Sequence, residues 1–137
     1  MTIVLDTNVL VSGLLNPRGA PGRVVELVAT GDVDLAVDDR IRDEYVDVLA
    51  RREFGFDKKD VDTLVAVIDG TAVHVHCARL PDRLPDADDE PFLEAAIAAH
   101  ADALVTGNLR HFPARLRFGV DVIRPTELLS RLPPRPR

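Results

Sequence analysis

The chain has 137 residues and a mass of 15.0 kDa, the length of one domain, and its 46% hydrophobic and 29% charged residues are those of an ordinary globule. That composition excludes a disordered or collagen-like chain, and the single cysteine, Cys77, excludes an internal disulfide and points to a reducing compartment. No apolar stretch is long enough to span a bilayer, and the N-terminus meets an acid at Asp6 without a basic leader, so a cytoplasmic domain without a membrane partner is expected.

The net charge of −6 is unevenly spread. From Arg110 onward seven arginines face Asp121 and Glu127, a local +5, which leaves −11 on the first 109 residues. Charged faces are most often merely solvated. The asymmetry also suits an acidic, metal-dependent site acting on a polyanion, with arginine reaching phosphate.

Residues 2–5 form a short β-branched run that reads as a strand buried on both faces. A helix is expected over 9–15, a loop over 16–19, and a second helix opened by Pro21 and closed by Gly31. Residues 33–37 are a second strand. Asp38 or Asp39 then caps a helix whose apolar stripe is Ile41, Tyr45, Val48 and Leu49. A helix over 57–68 ended by Gly70, a strand over 72–77 and a proline-bearing loop over 79–86 follow. Asp88 or Asp89 caps a helix with Pro91 in its first turn; strands are expected over 102–106 and 120–123, and a last helix over 126–132. Alternating strands and helices imply one domain over 1–132 built on a mostly parallel sheet of four to five strands covered on both faces, with a flexible basic tail over 133–137.

Ligand sites in such sheets lie beyond the carboxyl ends of the strands. Two polar clusters fall there, Asp6-Thr7-Asn8 and Thr106-Gly107-Asn108. A charge directly ending an apolar strand is costly unless paired or ligating, although capping the next helix would also account for Asp6. Glu44 lies about 60° from Ile41 around its helix, at the core boundary, whereas Asp43 and Asp47 point toward water. A third group, Asp86-Ala87-Asp88-Asp89-Glu90, puts four acids in five residues at a helix start, more than capping requires. Oxygen donors without thiolate or imidazole suit Mg²⁺ or Mn²⁺, ions that polarise phosphate and lower the pKa of water.

The segments 3–10, Asp43-Glu44, 86–89 with 92–96, and 103–108 resemble, in order and over nearly the whole chain, the PIN-domain family, and within it the VapC-like toxins of bacterial toxin–antitoxin pairs. The resemblance implies a three-layer α/β/α sandwich with a central parallel sheet, and a Mg²⁺- or Mn²⁺-dependent endoribonuclease acting on single-stranded RNA. It implies Asp6, Glu44 and Asp89 as catalytic and metal-binding acids, with Asp88 as the near alternative to Asp89. Where the family often has a fourth acid, this chain has Asn108, which brings a carbonyl but no charge. Thr7, Asn8 and Thr106 would support the ligands, and Arg110, Arg115 and Arg117 would contact RNA. An antitoxin partner and a homodimer are implied in the same way.

Other readings fit less well. A receiver domain would need a lysine after a late strand, and the only lysines are Lys58 and Lys59. A dehalogenase-like phosphatase would need an aspartate at the position of Asn8, and no phosphate-cradling glycine loop is present. The rival of a different class is a PIN-like fold without activity that serves as a protein- or RNA-binding module. His74 and His76 share a strand face but lack two further ligands for zinc, and Cys77 lacks a basic neighbour that would activate it. Phe54 and Phe56 are expected to pack on the core rather than stack on bases.

Overall fold

The computed structural model describes residues 1–133, so of the expected tail only Pro133 lies within the described residues. Five strands, β1 (Thr2–Leu5), β2 (Asp34–Val37), β3 (Val73–His74), β4 (Ala103–Val105) and β5 (Val122–Ile123), pair in parallel in the order β3-β2-β1-β4-β5. Six helices connect and follow them: α1 (Thr7–Leu15), α2 (Ala20–Thr30), α3 (Asp39–Leu49), α4 (Lys58–Thr71), α5 (Glu90–Ala98) and α6 (Pro125–Arg131). The chain moves outward from β1 to β2 to β3, then crosses back through α5 to β4 on the other side of β1. Right-handed crossovers therefore put α5 on the face opposite α1 and α2, giving the three layers.

β1 is the centre of the core, with Ile3, Val4 and Leu5 fully buried, because helices cover both faces of a parallel sheet. The reversal of strand order between β1 and β4 opens a crevice at their carboxyl ends, where Asp6 and Thr106 emerge. Among the described residues no helix is long and apolar enough to cross a membrane.

Two elements differ from expectation. Gly70 does not stop α4, which runs through it to Thr71; a helix stop at glycine uses the left-handed conformation, adopted by Gly31 (φ 81°) at the end of α2. β3 is two residues rather than six, an exposed edge strand that pairs only with β2, and His74 and His76 are exposed there. Phe54 and Phe56 stack with ring centroids 5.7 Å apart and are half-buried against the core.

The α1–α2 hairpin is set by close backbone approach. A Cβ on Gly22 would lie 2.3 Å from the Pro17 carbonyl oxygen, a backbone atom that cannot swing aside. Gly22→Ala should therefore destabilise the domain by about 1–3 kcal/mol, seen as a lower urea midpoint with an unchanged m-value.

Candidate active site

Asp6 leaves β1 with its backbone N–H bonded to the Val105 carbonyl oxygen at 3.0 Å, so the β1–β4 ladder holds it in place. Its side chain is 4% exposed and has two partners. Oδ1 accepts from the Asn8 amide at 3.5 Å, a weak cap for α1, and Oδ2 accepts from Thr106 Oγ1 at 2.8 Å. Thr106 Oγ1 in turn accepts from the Asn108 backbone N–H at 3.0 Å. A hydroxyl donating to one acid while bracing the next loop fixes both strand ends in one geometry.

Glu44 is half-buried on α3, at the edge of the stripe that buries Ile41, Tyr45 and Leu49, and it accepts a hydrogen bond from Thr7 Oγ1. Thr7 thus ties the third acid to the turn that carries the first. Tyr45, one residue on, is fully buried and donates from its hydroxyl to the Leu5 carbonyl oxygen at 2.5 Å. Burial first, then the charges of Asp6 and Glu44, push the Tyr45 phenol well above its usual range and hold it neutral. It packs beneath the acids as a donor to the end of β1.

The acidic run before α5 separates cleanly. Asp86 caps a short helical turn over Ala87–Asp89 by accepting from the Asp88 amide at 2.9 Å, and Asp88 itself is exposed. Asp89 occupies the capping position of α5 but makes no capping hydrogen bond, and it is only 7% exposed. Burial pushes its carboxyl up to about 6; nearby His111 pulls it down, and the charges of Asp6 and Asp86 push it further up. Asp89 Oδ2 lies 3.1 Å from His111 Nδ1, off the line of a hydrogen bond. Both atoms are cut off from solvent and lack a hydrogen-bond partner. Nothing in the local sequence singles out His111 as a neighbour of Asp89, and the apolar stripe of α3 places Tyr45 in the core without showing its bond to the end of β1.

The residues fit a hard divalent ion. The donors are oxygens, the buried carboxylates of Asp6 and Asp89 repel each other electrostatically, and one Asp89 oxygen faces the His111 ring nitrogen at 3.1 Å without a well-aligned hydrogen bond. Among the described residues no three His, Cys, Asp or Glu side chains form a ready-made ion cage. Two carboxylates leave the remaining positions of a divalent ion to water or phosphate. Asn8 and Asn108, which follow the two strand ends, are exposed, as are Arg110 and Arg115, and Arg117 is half-buried with its Nε donating to the Phe112 carbonyl oxygen at 2.8 Å.

A PIN-domain model matches residues 2–110, a span that includes Asp6, Glu44, Asp89 and Asn108. The chain belongs to the PIN-domain family. No curated protein matches it. Among solved structures this PIN domain is similar to a chain of VapBC2 from Rickettsia felis bound to a DNA fragment from their promoter, with a TM-score of 0.57 and 16% identity over 90% of this chain and 98% of that one. At that identity the likeness is one of fold. β5, α6 and the arginines after Arg110 lie beyond the matched span.

The cysteine of this PIN domain is not part of the site. Burial, and then the charge of Asp38, push the Cys77 thiol up to about 11, so it is a poor nucleophile at neutral pH.

Proposed function

We propose that this PIN domain is a Mg²⁺- or Mn²⁺-dependent endoribonuclease that cuts single-stranded RNA, the toxin of a toxin–antitoxin pair. The observation that carries the reading is the pair of buried acids at the end of β1 and before α5, one of them with a carboxyl pushed up to about 6 by burial. A fold needing only a helix cap would not bury a second carboxylate beside the first. Asp6 and Asp89 would hold the ion, Glu44 would complete the set with Thr7 bonded to it, and Asn108 would offer a carbonyl without adding charge. The ion would supply Lewis-acid polarisation of a phosphate oxygen and a more acidic attacking water.

The protein's own groups do the rest. Thr106 and Thr7 orient the carboxylates of Asp6 and Glu44, and Tyr45 holds the end of β1 without bringing a charge. Arg110, Arg115 and Arg117 would take the phosphates flanking the cut, as positioning contacts that read no sequence. Cytoplasmic location, an antitoxin partner and a homodimer belong to the same reading. The promoter DNA named for VapBC2 is a property of that complex, and the antitoxin is carried over from it by analogy of fold.

Incubating labelled single-stranded RNA with the protein should give cleavage in Mn²⁺ or Mg²⁺ and none in excess chelator; intact RNA in both would refute the reading and favour the inactive binding module. Replacing Arg110, Arg115 and Arg117 together by alanine should weaken RNA binding and lower the slope of log K against log salt by about 2–3, while cleavage of saturating RNA changes less. An unchanged slope would remove these arginines from the RNA path.

A further inference from the structure

Between α1, α2 and α6, on the β5 side of the acids, lies a cleft of about 200 Å³ walled mainly by apolar groups: Val9 and Ser12 of α1, Pro21 of α2 and Pro125 of α6. Its inner end is formed by Asn8 and Gly107, which directly follow Thr7 and Thr106 and so connect the cleft with the carboxylate site. Arg124 also lines it, is exposed, and makes no ion pair or side-chain hydrogen bond among the described residues. An added Cβ on Gly107 would meet nothing within 4 Å, so the approach from the acids is open. A cavity this size falls below the roughly 300–1,000 Å³ that encloses a whole small-molecule ligand, and it therefore suits one part of a larger substrate.

We infer that the cleft is a nucleobase subsite of the RNA substrate. One base next to the scissile phosphate inserts between Val9, Pro21 and Pro125, and Arg124 pairs with the phosphate on its far side. The occupant follows from three features together. Apolar walls suit the face of a base, an unpaired guanidinium at the cleft suits a phosphate, and continuity through Asn8 and Gly107 joins both to the acids. The inference rests on the ribonuclease reading for what lies in the acidic crevice. It goes beyond that reading by assigning Arg124 and the α1–α2–α6 cleft, of which α1 and α2 lie within the matched family span and Arg124 and α6 beyond it.

The test is equilibrium binding by fluorescence anisotropy in chelator, where cleavage cannot contribute. The probes are a mixed-sequence single-stranded RNA of about 10 nucleotides and an abasic oligomer of the same length. Wild type should prefer the RNA about tenfold. Ser12→Leu fills the cleft from an exposed helix position and should bring the preference close to one, with its thermal midpoint measured alongside to check that it is folded. Arg124→Ala should weaken both probes and lower the salt slope by about one. An unchanged preference in Ser12→Leu, equal binding of both probes by wild type, or no binding would each overturn the subsite. Cleavage in Mn²⁺ is scored separately. Cleft-dependent binding without cleavage would keep the subsite and refute the nuclease, whereas normal cleavage with unchanged base preference in Ser12→Leu would refute the subsite alone.

Discussion

Asp6→Asn and Asp89→Asn are each expected to lower RNA cleavage more than about a hundredfold, because loss of groups that merely support a metal ligand already costs 10–100-fold. Neither should unfold the protein. The asparagine at 6 keeps one oxygen to accept from the Asn8 backbone N–H, and its amide NH2 can donate to Thr106 Oγ1, which turns from donor to acceptor. At position 89 stability should rise, for a reason visible in the carboxyl itself. Its folded value of about 6 lies above the roughly 3.9 of an unfolded aspartate, so between those values the folded state binds more protons. Stability therefore falls as pH rises from about 4 to 6, and the full penalty is present above 6. Asp89→Asn removes that penalty, and in metal-free buffer at pH 7.5 the thermal midpoint should rise, with less stabilisation on acidification than wild type shows. A variant that cuts RNA at the wild-type rate would remove that residue from the catalytic set. A wild-type protein whose metal-free stability does not change between pH 6 and 4 would contradict the buried state of Asp89.

The second large effect lies behind the site. Arg40 bridges two nearly buried carboxylates, donating to Asp38 Oδ2 at 2.8 Å through Nε and to Glu94 Oε1 at 2.8 Å. Asp38 caps α3 by accepting from the Ile41 amide at 2.9 Å, and Glu94 accepts from the Leu80 amide at 2.9 Å. One guanidinium thus joins the start of the helix carrying Glu44 to the helix that follows Asp89, and to the loop leading there. Arg40→Ala leaves two buried acids without their cation. The expected loss is about 2–4 kcal/mol, below the value for a fully buried pair because Arg40 is half exposed. Urea unfolding at pH 7.5 reads it directly, and a loss below about 0.5 kcal/mol would mean that solvent replaces the clamp.

The parts of this protein that were legible in the sequence are those written in local pattern. The apolar run ending at Asp6 defined β1 and its exit, and the period of Ile41, Tyr45 and Leu49 placed Glu44 at the core boundary, where it is half-buried. The choice between Asp88 and Asp89 had no local answer. In the fold Asp86 takes the cap of the short turn, Asp88 is exposed and Asp89 is buried. His111 against Asp89, and Arg40 between Asp38 and Glu94, were not legible. The first pair is 22 residues apart and Arg40 is 54 from Glu94, and such contacts exist only once the sheet is assembled. β3 was overestimated because the alternation over 72–77 resembles a strand, while the sheet edge pairs only two of its residues.

Calorimetric titration of Mn²⁺ into metal-free protein tests the central claim most directly, since the claim is that Asp6 and Asp89 together hold a divalent ion. Wild type at pH 7.5 should bind one ion per chain. Below the Asp89 value of about 6 the affinity should fall as ion and proton compete for the same oxygen. Asp6→Asn and Asp89→Asn should each weaken binding at least tenfold. Absence of saturable binding to wild type, or equal affinity in all three proteins, would contradict the account.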